Sequence, residues 1–175
     1  MYPGEVLWLL LFVCWSGALI YNDLRYRRVP NTLIVAGFAA QLLWLAAAAL
    51  VPGWMFPPRW TGWLMTLAGF LAAFLFLPLW GRRLMSAGDI KAIAILGLWL
   101  GLAPLVLVLV LVLASVLAGL HSLAVVVVSR YWALTQRWSQ VPFAMYLGVA
   151  ALSVVLMPLN SPWYSWCSSW CSTAS

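Results

Sequence analysis

Only three residues of this 175-residue chain are acidic: Glu5, Asp23 and Asp89. Asp23 stands in "YNDLRYRRVPN" (21–31), after a long apolar run and beside Arg25, Arg27 and Arg28. Asp89 stands in "SAGDIK" (86–91), directly before another apolar run. An acid kept at the edge of so apolar a segment is costly and points to function. Two carboxyls that converge can share a proton, so that one activates water while the other protonates a leaving amine. The competing reading is that each aspartate pairs with a nearby cation and anchors a loop. Charge alone leaves both readings open. Other hydrolytic chemistries have less support. The chain has one histidine, His121, and three cysteines, Cys14, Cys167 and Cys171. No nucleophile has a plausible base at the same level, and no ligand cluster suits a metal, so neither metal nor cofactor is expected.

The elements that must position these acids are membrane helices. Hydrophobic residues make up 66% of the chain and charged residues 7%, with a mean hydropathy of +1.04. Apolar runs of roughly 20 residues between short charged loops define an all-α, polytopic membrane protein. Six segments are expected: Glu5 to Asn22, Asn31 to Val51, Trp60 to Trp80, about Asp89 to Leu102, about Pro104 to Val128, and about Gln140 to Met157. From Ala92 to Val128 no residue is ionised. A single helix of that length, about 55 Å, would overshoot a ~30 Å hydrocarbon core, so the chain must turn, near Pro104. Residues 1–159 form one six-helix domain, and residues 160–175 form a Trp/Ser-rich, uncharged tail. The N-terminal run has no preceding Lys or Arg and no evident cleavage site, so it reads as a retained helix.

Eight of the nine basic residues fall in alternate loops: Arg25, Arg27 and Arg28; Arg82, Arg83 and Lys91; Arg130 and Arg137. Arg59 alone falls in the other set. This bias makes the three basic loops cytoplasmic and puts both termini outside. The net charge of +6 therefore orients the chain against anionic lipid and does not signal nucleic-acid binding. Both aspartates then lie near the cytoplasmic face, although 66 residues separate them. Asp23 closes the first helix and Asp89 opens the fourth, so the helix dipoles favour the acid form at Asp23 and the anion at Asp89.

"DLRYRRVPN", "SAGDIKAIAILGLWLG" and "VPFAMYLGVA" (141–150) together resemble the type IV prepilin peptidase family. In that family an Asp in D-x-x-x-x-x-[IV]-P-N and an Asp in G-x-G-D-x-K are the catalytic pair, and an [IV]-P-F segment starts a later helix. The resemblance covers all six segments in order, and it implies that Asp23 and Asp89 are an aspartyl protease dyad. It also implies an endopeptidase that removes leader peptides from prepilins or pseudopilins at the cytoplasmic face of a bacterial inner membrane. The small size resembles the Tad-type members that process Flp pilins. The chain lacks the cysteine-bearing insert of longer relatives, which also methylate the product. The implied partners are prepilin substrates and membrane lipid. A proton or ion pathway would want ionisable residues through the membrane depth, and the third and sixth segments have none. A catalytically silent assembly partner of a pilus or secretion system is the alternative function.

Several neighbours are candidates for support. Ser86 stands where the motif has its first glycine, and is small enough to cap the fourth helix. Gly88, before the acid, is retained. Lys91 holds Asp89 ionised, contacts substrate or snorkels to the interface. Pro30 pushes Val29 to an extended conformation, and Asn31 caps the second helix. His121 and Gln41 are expected in interhelical hydrogen bonds, and Gly97 and Gly101 in close helix packing. Most of the thirteen tryptophans suit the interfacial belt. The basic residues beside Asp23 are expected to hold their loop at the lipid surface.

Overall fold

A computed structural model describes residues 3–50, 63–83, 85–101, 106–131 and 141–156. Within them the chain is helical throughout: α1 (Pro3–Tyr26), α2 (Asn31–Leu50), α3 (Trp63–Ala72), a 3-10 turn (Ala73–Phe76), α4 (Leu77–Gly81), α5 (Ala87–Leu100), α6 (Val106–Ser129) and α7 (Phe143–Val155). Four stretches are long and apolar enough to cross a membrane: Val6–Tyr26, Asn31–Leu50, Leu64–Gly81 and Val106–Ser129. This is a multi-pass, all-α membrane protein. The turn at Pro104, the loop with Arg137, and the tail with Cys167 and Cys171 lie outside the described residues.

Local chemistry explains where the elements depart from the apolar pattern. α1 does not stop at Asn22 but runs one turn further, to Tyr26. It ends where Arg27 turns to φ 54° and its N–H donates to the Asp23 carbonyl at 3.0 Å. A left-handed residue just past the last turn is a common helix stop, and Pro30 bars continuation. The third span is a single run in sequence but is interrupted in the fold. Pro78 has no N–H to give the Phe74 carbonyl. That carbonyl instead accepts from the Leu77 N–H, which tightens the chain into the 3-10 turn.

α5 is the central helix. Ala92, Ile93, Ile95, Leu96, Leu98, Trp99 and Leu100 are all buried, so its apolar residues face neighbours on every side. α3 packs along it through glycines. A β-carbon on Gly97 would collide with the Gly69 carbonyl oxygen, and one on Gly69 would come within 2.8 Å of the Gly101 carbonyl carbon. The expected G-x-x-x-G approach is therefore present, with Gly69 as its partner. α7 packs between α1 and α6.

Tryptophans do more than line an interface. Trp8, Trp15, Trp44 and Trp99 are buried. Trp8, Phe12, Trp15 and Trp99 form one aromatic cluster joining α1 to α5. Their N–H groups find inward acceptors. Trp15 donates to the Leu33 carbonyl at 2.9 Å and Trp99 to the Gly37 carbonyl at 3.0 Å. Trp8 donates to Gln41 Oε1 at 3.3 Å, and Gln41 donates onward to the Leu98 carbonyl at 3.4 Å. Gln41 is thus the buried polar tie expected of it, and Trp8, Trp15 and Trp99 belong to the core because the polar edge of each is satisfied there.

Candidate active site

Three helix ends converge at one end of the bundle: the last turn of α1, the first turn of α5 and the first turn of α7. Asp23 lies one turn before the end of α1 and is 7% exposed. Its Oδ2 accepts the Met145 N–H at 2.7 Å, and the Ala144 N–H contributes a further hydrogen bond. Pro142, the residue before α7, offers no side-chain cap. The Asp23 carboxyl therefore supplies from another helix the acceptor that the first turn of α7 lacks.

Asp89 is the third residue of α5, within a reciprocal capping box. Ser86 Oγ accepts the Asp89 N–H at 3.1 Å, and Asp89 Oδ2 accepts the Ser86 N–H at 3.3 Å. The serine in place of the motif glycine thus does cap the helix, and it fixes the carboxyl of Asp89 as well. Asp89 is half-buried, and Asp23 is close enough for its charge to be felt there. The two acids, 66 residues apart in sequence, are brought together.

The dipole expectation needs correction. Asp23 sits near the negative end of its own helix, but its carboxyl faces the positive end of α7 through the Met145 N–H. Asp89 sits at the positive end of α5. Both carboxyls therefore face a helix N-terminus, and the dipoles do not single out Asp23 as the acid.

The surroundings sort the other candidates. Arg27 is half-buried, unlike the exposed Arg25 and Arg28, and its charge acts on Asp23. It is part of the site, whereas the sequence placed it with its neighbours at the lipid surface. Asn31 is the first residue of α2 and does not cap it. The Pro30 carbonyl accepts from Leu33 and Ile34, while Asn31 Oδ1 takes the Lys91 ammonium at 2.9 Å. Lys91 thus bridges α5 to α2 and is turned to Asn31. Gly88 has ordinary room: a β-carbon there would meet Ser86 Oγ at 3.5 Å and Val29 at 3.6 Å. No group of three or more potential metal-ligating residues occurs among the described residues.

Asp89 also lines a cavity of about 660 Å³, whose walls include Phe76, Trp80, Arg83, Met85 and Phe143. The cavity is mostly apolar, with Arg83 and Ser115 adding polar groups. Its size and composition suit a short stretch of polypeptide presented beside a carboxyl. Sequence reasoning placed both aspartates but missed the Met145 N–H and the separate position of Arg27. A backbone donor has no residue signature, and one arginine among three carries no mark of its burial.

A family model described as the Type IV leader peptidase family matches residues 10–123, more than half of the chain. The match includes Asp23, Asp89 and α5, and ends before α7. No curated protein matches the chain, and no solved structure matches it.

Proposed function

Because the chain belongs to the type IV leader peptidase family, and is thus a peptidase, we propose that it is an aspartic endopeptidase that removes the leader from Flp-type prepilins at the cytoplasmic face of a bacterial inner membrane. The observation that carries the aspartic reading is the convergence of Asp23 and Asp89, close enough to interact electrostatically, with Asp89 lining a cavity. In this mechanism the pair holds one proton. The ionised carboxyl takes a proton from water as the oxygen attacks the scissile carbonyl. The protonated carboxyl donates to that carbonyl oxygen. Collapse of the tetrahedral intermediate then delivers a proton to the leaving amine. Met145 N–H and Ser86 N–H hold the two carboxyls in place while protons move.

The cytoplasmic placement rests on the basic loops. Arg27, Arg83 and Lys91 share the end of the bundle that carries the aspartates, and a basic end faces the cytoplasm. In the same scheme the tail at 160–175 is periplasmic and separate from the peptidase domain at 1–159. The link from α1 to α2 is short and leaves no room there for a methyl-donor pocket, so the product keeps a free amine.

The test is co-expression with a candidate Flp-type prepilin and mass spectrometry of the product. The expected product lacks its leader and carries no added methyl group. Cleavage should survive metal chelators and thiol- or serine-directed reagents. An uncut prepilin would favour the silent assembly partner, and loss of cleavage with a chelator would rule out the aspartic mechanism.

A further inference from the structure

α7 holds Asp23 through its backbone, so its rotation and height decide whether that carboxyl is held. One polar contact is placed to fix both. Tyr146, the residue after Met145, has its hydroxyl 2.7 Å from Nδ1 of His121 on α6. The rings meet edge to face, with centroids 5.9 Å apart. His121 is the chain's single histidine, and the contact is the interhelical hydrogen bond expected of it. The surrounding helix faces are aliphatic. Aliphatic contacts are non-directional and tolerate sliding, whereas a hydrogen bond sets register.

The contact reaches the site in two ways. Met145 N–H, one residue away, is the donor to Asp23. The charge of Arg27 acts on both Asp23 and Tyr146. The Nε2 atom of His121 is buried and has no hydrogen-bond partner among the described residues. The Nδ1 contact to Tyr146 is therefore the hydrogen bond that ties this ring, with the donor set by the tautomer.

We propose that His121 and Tyr146 are a positioning pair: their hydrogen bond sets the register of α7 against α6 and thereby holds the Met145 N–H on the Asp23 carboxyl. This rests on the dyad reading above. The pair acts through Asp23 and does not touch the scissile bond. Its removal therefore slows the chemical step and leaves substrate binding nearly intact.

The experiment measures kcat and KM of the purified full chain in detergent. The probe is a fluorogenic peptide spanning the leader junction of an Flp-type prepilin. Tyr146→Phe, His121→Leu, their double variant and His121→Asn are compared, each normalised to the folded, monodisperse fraction. Tyr146→Phe should lower kcat roughly tenfold to a hundredfold, with KM within about twofold. The double variant should be no slower than the worse single variant, because one contact is lost in all three. His121→Asn, whose amide reaches the Nδ1 position, should recover most of the rate. If His121→Leu does not fold, Tyr146→Phe and His121→Asn still decide the matter. An unchanged kcat in Tyr146→Phe, a rise in KM alone, or failure of His121→Asn to recover the rate would overturn the proposal. Asp23→Asn in the same assay separates the two claims. If Asp23→Asn is inactive and Tyr146→Phe is normal, only the positioning pair fails. If Asp23→Asn is active, the dyad itself fails.

Discussion

Asp23 gives up most of its solvent and receives in exchange two backbone donors and a nearby guanidinium. Asp89 keeps more solvent and is held by its own capping box. Two carboxyls that feel one another lose their protons in separate macroscopic steps. In the proposed mechanism the singly protonated pair is the active form, so kcat/KM should rise as the first carboxyl ionises and fall as the second does. A pH–rate profile with limbs on both sides is the expected result; a flat profile would contradict the shared proton. Ser86 makes a separate prediction. Ser86→Ala removes the cap and should cost the α5 terminus about 1 kcal/mol, while Ser86→Gly should cost only a few tenths. Amide hydrogen exchange across 86–90 should therefore quicken in Ser86→Ala and change little in Ser86→Gly. At this scale the acids were legible because acids are so scarce in the chain. Their partners were not, since Met145 contributes only an N–H and Arg27 looks like its neighbours.

Among the elements, α5 carries the most. It presents Asp89 at one end and packs its glycines against α3 at the other. Gly97→Ala would drive a β-carbon into backbone, where no rotamer change relieves it. The expected cost is roughly 1–3 kcal/mol, read as a lower midpoint in denaturant or heat, with Gly69→Ala behaving alike. Gly88→Ala, by contrast, should leave stability nearly unchanged, because a β-carbon there meets only ordinary contacts. Equal stability of Gly97→Ala and wild type would show that α3 and α5 are not this close. Helix existence and order were readable from apolar runs and loop charges. The break before Pro78 and the extra turn of α1 were not, because both depend on which carbonyl each N–H reaches. Nor could composition tell a core tryptophan from a belt tryptophan. Trp8, Trp15 and Trp99 are inside because Gln41, Leu33 and Gly37 offer acceptors there.

For the whole molecule, Arg27, Arg83 and Lys91 share one end of the bundle with both aspartates, and the proposed topology turns that end to the cytoplasm. A reporter active only outside should work when fused after Pro52 or Ser161 and fail after Arg83 or Arg137. The reverse pattern would place the site on the other side of the membrane. The central claim is that Asp23 and Asp89 act as one unit, and leader removal by single and double variants tests it most directly. Asp23→Asn and Asp89→Asn should each lower the cleavage rate by at least roughly a hundredfold. The double variant should be no slower than either, because a dyad broken once has nothing further to lose. Substantial cleavage by either single variant, or losses that multiply in the double variant, would contradict it.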